Sequence, residues 1–345
     1  MEMYKGCSTA LITPMNENRN IDYDKLQKLV EFQIECGVKG ILAVGTTGES
    51  GTLNWNEHNK VIQSVTEYVD GRCATIGGTG SNNSQEALRS TAHADDVGVD
   101  AVLLVDPYYN GPSSLEIRKE YISPVAERFP DLDVIPYVIP GRSGTQLYPQ
   151  DLAVLKHGYD NVRAVKEATG DMENMRSTRE LCGTDFHILS GDDGITFDMM
   201  VSEDISANGA ISVTSNIAPG VVQEMIESIH TGDLLRAREI NEALEPLTSM
   251  VTVSTREDTP YGQVLCRARN PLPYKTLMDI LGMPAGPCRP PLGKMTSKGI
   301  QQVLESARKV HNEDPEILTP VEDFFDVDLE ERLYDDRYCR GLCYD

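Results

Sequence analysis

The chain has 345 residues, a formal charge of −23 and a hydrophobic content of 40%. That is enough apolar material for an α/β barrel with an extension, and the acidity argues against nucleic acid or an anionic membrane as partner. No run approaches the roughly 18–20 apolar residues that a membrane helix needs. The N-terminus has no basic segment leading into an apolar signal core, so a cytoplasmic protein is expected.

Taken in chain order, short apolar runs occupy 7–12, 40–45, 73–77, 101–105, 134–138, 162–166, 186–190 and 209–213. They are continuous rather than alternating, which suits strands of a parallel sheet covered on both faces. Helical patterns fill the gaps at 23–36, 56–69, 84–97, 114–128, 149–156, 171–182, 194–202 and 217–229. The first repeats Leu26, Leu29, Val30 and Ile34 at helical spacing and has Gly37 just past its end. Eight strand-then-helix units predict an α/β fold of the closed (β/α)8 barrel type, spanning 1–231. An open doubly wound sheet would need a phosphate-binding glycine signature after an early strand. Gly77-Gly78-Thr79-Gly80 lacks that spacing.

Beyond the barrel, 233–251, 259–281 and 297–311 read as three helices without strands, a C-terminal subdomain over 232–311. The tail 312–345 is strongly acidic but carries Phe324, Phe325, Tyr334, Tyr338 and Tyr344. A purely solvated acidic tail has few aromatics, so docking onto the body or a neighbouring subunit is expected. The eight cysteines are scattered and expected to be reduced thiols. Only Cys339 and Cys343 are close, and two thiols do not complete a metal site.

In this barrel type the loops after the strands build the active site. The sixth run ends in Lys166, inside Val162-Arg163-Ala164-Val165-Lys166-Glu167. An amine buried there loses hydration, its pKa falls, and free amine becomes available for attack on a carbonyl. A surface charge or an ion pair with Glu167 is the plain alternative. The second run ends in Gly45-Thr46-Thr47-Gly48-Glu49, where backbone N–H groups and hydroxyls can converge on a carboxylate. The fourth runs into Pro107-Tyr108-Tyr109-Asn110, and the fifth carries Tyr137 followed by Pro140-Gly141-Arg142-Ser143-Gly144. A phenol can relay protons and a guanidinium can grip a carboxylate as a fork. The seventh ends in Ser190-Gly191-Asp192-Asp193, a weak metal site without a histidine nearby.

These motifs, with Asn270-Pro271-Leu272-Pro273-Tyr274-Lys275, resemble the pyruvate-dependent Schiff-base lyases, and most specifically their dihydrodipicolinate synthase branch, over about residues 1–310. The resemblance implies that Lys166 forms an imine with pyruvate and that Thr46 and Thr47 hold the pyruvate carboxylate. It implies a proton relay of Tyr137, Thr47 and Tyr109, the last reaching in from a neighbouring subunit of a homotetramer. Arg142 would bind the carboxylate of aspartate 4-semialdehyde, and Gly191 and Ile211 would line the pocket. No cofactor or metal is implied, the lysine being the electron sink. An allosteric L-lysine site would comprise Ser50, Gly51, Trp55, His58, Asn82, Glu86 and Tyr108. The chain departs from the family pattern at Val138, where a polar Asn near the site is usual, at Ser143, and in the whole tail. Sugar-acid aldolases of the same superfamily share the lysine and tyrosine, and Arg142 separates them, because a sugar acceptor wants neutral partners. A non-catalytic sensor built on the same barrel would not need the full set of residues.

Overall fold

The computed structural model describes residues 2–344. Eight parallel strands close in chain order into one barrel: β1 (Cys7–Ala10), β2 (Gly40–Ala43), β3 (Ala74–Gly78), β4 (Ala101–Val105), β5 (Asp133–Val138), β6 (Ala164–Glu167), β7 (His187–Ser190) and β8 (Gly209–Ser212). Ser8 pairs with both Gly40 and Ile211, which closes the ring. The runs are continuously apolar because their outward faces meet helices and their inward faces fill the barrel. In β2 and β8 every residue is buried.

The helices α1 (Tyr23–Glu35), α2 (Trp55–Val69) and α3 (Ser84–Asp96) begin at Asp22, Asn54 and Asn83, whose side chains accept from the first free backbone N–H groups. Among the described residues no helix is long and apolar enough to cross a membrane, and all eight cysteines are free thiols.

The C-terminal region corrects the sequence reading. Leu234–Thr248 and Ser297–Glu313 are helices as expected, but the middle helix begins only at Leu272 and runs to Leu281. The residues before it form an antiparallel hairpin of β9 (Thr252–Thr259) and β10 (Gly262–Arg269). Thr252, Val253, Thr255 and Thr259 are β-branched, and Val253 and Thr255 are buried while Ser254 and Arg256 face solvent. That period of two is the strand signal, and the charged residues Arg256, Glu257 and Asp258 obscure it. Pro260 and Gly262, the latter at φ +116°, make the turn.

The tail docks on its own chain. Phe324 and Phe325 lie 5.3 and 5.1 Å, centroid to centroid, from Phe32 of α1. Leu329 and Leu333 are buried, and the Arg332 guanidinium donates to the carbonyls of Ile280 and Asp279. Tyr338 lies under the guanidiniums of Arg332 and Arg337. The interleaved aromatics are what hold an acidic segment against an acidic body.

Candidate active site

Lys166 is the third residue of β6, in register with Tyr137 on β5 and Leu189 on β7. Residues in register point to the same face of a sheet, so the lysine and the phenol stand side by side at the carboxyl end of the barrel. Lys166 is 4% exposed, and its Nζ lies 4.4 Å from the centre of the Tyr137 ring. Its pKa is lowered to about 7: burial is the main cause, Asp193 partly opposes it, and the Arg142 charge adds to it. Glu167 faces away, its carboxylate accepting from Thr169 N at 2.7 Å and Asn174 Nδ2 at 2.9 Å. The ion-pair alternative for Lys166 therefore falls.

Space for the lysine comes from Gly191 after β7. A Cβ at that position would sit 2.9 Å from Lys166 Cε and 3.1 Å from Lys166 Cγ. The residue is glycine because the lysine side chain passes over it.

Lys166, Tyr137, Thr46, Thr47, Arg142, Gly191, Asp192 and Asp193 line one cavity of about 210 Å³. Burial raises the Tyr137 pKa, the Arg142 charge and the neighbouring Thr46 hydroxyl oppose the rise, and the phenol stands at about 12. At neutral pH the phenol is therefore protonated and able to donate. Thr46, rather than Thr47, is the hydroxyl beside the phenol. Thr47 Oγ1 instead accepts from Asn270 Nδ2 at 3.0 Å. Two adjacent threonines cannot be told apart by spacing, and the turn's backbone decides which one faces β5.

That turn is under strain and firmly held. Val44 and Glu49 have φ of +58° and +59°, a region that a β-branched residue rarely enters. Glu49 Oε1 accepts from Lys275 Nζ at 2.7 Å with both side chains almost fully buried, and Glu49 Oε2 accepts from Arg289 N at 2.8 Å. Lys275 also donates to the carbonyls of Thr13 and Pro287. The segment 270–275 thus anchors the hydroxyl turn through Asn270 and Lys275, a role that sequence reasoning missed. The signal was a lysine in a helix whose every neighbour from Leu272 to Met278 is buried.

Two other expectations need correction. Ile211 is buried in β8 and does not line the cavity; Val213, two residues nearer the mouth, does. Val138 pairs with Glu167, alternating to the face opposite Tyr137, so it does not remove a polar group from the cavity. Tyr109 is outside its own cavity, 93% exposed, with φ of +80°. Of the residues expected to hold L-lysine, Tyr108 N donates to Asn82 Oδ1 at 2.8 Å, and Glu86 Oε2 accepts from Ser81 Oγ at 2.6 Å. Trp55 packs on His58, with ring centres 4.7 Å apart. Burial lowers the His58 pKa to about 4, leaving it neutral at physiological pH. Ser50 and Gly51 form a single 3-10 turn with Thr52, between the hydroxyl turn and α2.

A desolvated lysine beside a phenol, hydroxyls and a guanidinium at the mouth of a (β/α)8 barrel defines a Schiff-base-forming carbonyl enzyme. The model of the dihydrodipicolinate synthetase family matches residues 3–310, and the chain belongs to that family. It is similar to the 4-hydroxy-tetrahydrodipicolinate synthase of Methanococcus maripaludis, 39% identical over 291 residues, covering 84% of this chain and 93% of that one. It is equally similar to that of Methanocaldococcus jannaschii, 39% identical over 308 residues, covering 89% and 98%. Among solved structures, the dihydrodipicolinate synthase from Aquifex aeolicus superposes with a TM-score of 0.80 at 36% identity, covering 88% of this chain and 97% of that one. The enzyme from Cyanidioschyzon merolae, solved with lysine bound, superposes with a TM-score of 0.81 at 31% identity, covering 89% and 98%.

The folded pKa of Lys166 lies below its unfolded value of about 10.4. The buried ammonium therefore costs stability in full below pH about 7, and the cost fades as pH rises from there toward the unfolded value. Lys166→Met should raise the melting temperature at pH 6–7, with the gain shrinking by pH 9, while abolishing reaction with pyruvate. In the wild type, imine formation should fall about tenfold per unit as pH drops below about 7, read by stopped-flow with pyruvate alone.

Proposed function

We propose that this enzyme is a lyase that condenses pyruvate with L-aspartate 4-semialdehyde to give 4-hydroxy-tetrahydrodipicolinate, a step toward diaminopimelate and lysine. The observation that carries the reading is the buried amine of Lys166 beside Tyr137, in one cavity with Arg142. The neutral Lys166 amine attacks C2 of pyruvate, and water leaves to give the imine. Thr46, Thr47 and their backbone N–H groups hold the pyruvate carboxylate. Loss of a C3 proton gives an enamine, whose C3 attacks the aldehyde carbon. A proton reaches the new alkoxide through Tyr137. The amino group of the semialdehyde then attacks the imine carbon, closing the ring and releasing Lys166.

Arg142 is the group for the acceptor carboxylate. Its guanidinium sits on the single turn Pro140–Ser143, steadied by a hydrogen bond from Nη2 to Asn270 O at 3.2 Å. A coupled assay with the downstream reductase tests the substrate pair. Arg142→Ala should cut kcat/KM for the semialdehyde by about 100-fold, the loss of a charged bidentate contact, and leave pyruvate imine formation nearly intact. Equal loss in both half-reactions would move the acceptor to another class of aldehyde.

The relay is read as Tyr137, Thr46 and Tyr109. A strained, exposed tyrosine outside its own cavity supports donation to a second copy, in a homotetramer built as a dimer of dimers. Mixing inactive Tyr109→Phe and Lys166→Ala chains should restore part of the wild-type turnover, because some hybrid sites hold both residues. If no activity returns on mixing, Tyr109 does not act across an interface.

Feedback by L-lysine is the regulatory reading, at Ser50, Gly51, Trp55, His58, Asn82, Glu86 and Tyr108. A neutral His58 would not repel a cationic ligand, and Glu86 and the Tyr108 phenol suit an amine. Activity should fall as L-lysine is titrated through the millimolar range; a flat response would exclude the site.

A further inference from the structure

The hairpin of β9 and β10 ends at the mouth of the cavity. Val251, Thr252, Arg269 and Asn270, from its two ends, line the cavity together with Arg142. The two arginines lean on each other's loops: Arg142 Nη2 donates to Asn270 O at 3.2 Å, and Arg269 Nη1 points at Gly141 O at 3.5 Å. Arg142 also feels the Arg269 charge, which adds to burial in lowering its pKa.

Neither guanidinium has a carboxylate within 4.0 Å among the described residues, in a chain with 54 acidic and 31 basic side chains. The two carboxylates of the cavity are committed elsewhere. Asp193 Oδ2 accepts from Val213 N at 2.8 Å and Thr214 N at 3.0 Å, and Asp192 Oδ1 accepts from Gly194 N at 3.1 Å. Two like charges on one rim repel, and an anion between them relieves the repulsion.

We propose that Arg269 is a specificity-determining residue, a second guanidinium that closes on the carboxylate of the acceptor aldehyde opposite Arg142. The hairpin then serves as an arm that makes an acid aldehyde the preferred acceptor over a neutral, hydroxylated one. This rests on the pyruvate-imine reading of the cavity. Both side chains are open to solvent. Arg142, whose charge reaches Lys166, fixes the carboxylate near the enamine, while Arg269, at the end of β10, captures it at the mouth.

Steady-state kinetics of Arg269→Gln and Arg269→Lys against the wild type test the proposal. Arg269→Gln should raise KM for the semialdehyde about tenfold, the loss of one charge-assisted contact, with KM for pyruvate and borohydride trapping of pyruvate unchanged. Arg269→Lys should recover part of the loss. Salt should raise the semialdehyde KM more steeply in the wild type than in Arg269→Gln, because an exposed charge is screened. A semialdehyde KM equal to wild type in Arg269→Gln overturns the clamp. So does equal loss of pyruvate trapping, the mark of a merely structural arginine. Absence of trapping in the wild type is distinguishable from both, since it brings down the imine reading itself.

Discussion

The site depends on keeping one amine out of water. A barrel mouth is one of the few places where a lysine can be nearly dry and still reachable by a small substrate, because the strands beneath it are packed with apolar side chains and the loops above it are open. Desolvation is the leading cause of the Lys166 shift, and the positive Arg142 works in the same direction. The other features of the mouth accommodate this choice. Gly191 gives up its side chain so that Lys166 can pass, Glu167 is turned outward onto Thr169 and Asn174, and Tyr137 stands in register as a protonated phenol.

A second constraint links regions distant in the chain. The turn that presents Thr46 and Thr47 has two non-glycine residues at positive φ, and the surroundings must enforce such a shape. The enforcement is the buried pair of Glu49 and Lys275, with Asn270 bonded to Thr47. A buried ion pair adds little net stability, but it fixes geometry, because any other arrangement strands a charge. The helical C-terminal region is therefore part of the site's scaffold. The hairpin that precedes it brings a second arginine to the same rim.

The barrel was legible because its signal repeats. Eight continuous apolar runs separated by amphipathic stretches admit few architectures, and the end of the sixth run picks out Lys166 without reference to any relative. Arg142 and Tyr137 followed from their place after β5. The misreadings share a cause: they turned on which way a side chain points, or on a local pattern diluted by charge. Thr46 and Thr47 differ only in the orientation a strained turn gives them. Val138 lies on the far face of its strand, and Ile211 lies deeper than the lining. The hairpin's alternation was hidden among Arg256, Glu257 and Asp258. Asn270 and Lys275 hold the hydroxyl turn through contacts to Thr47 and Glu49 made more than 220 residues away in sequence.

The most direct measurement is reduction of the enzyme with borohydride in the presence of pyruvate, followed by mass spectrometry of the digested chain. A single stable adduct is expected on the peptide containing Lys166, absent without pyruvate and absent in Lys166→Met. An adduct on another lysine, or none at a pH where the amine is free, contradicts the imine chemistry on which the function rests.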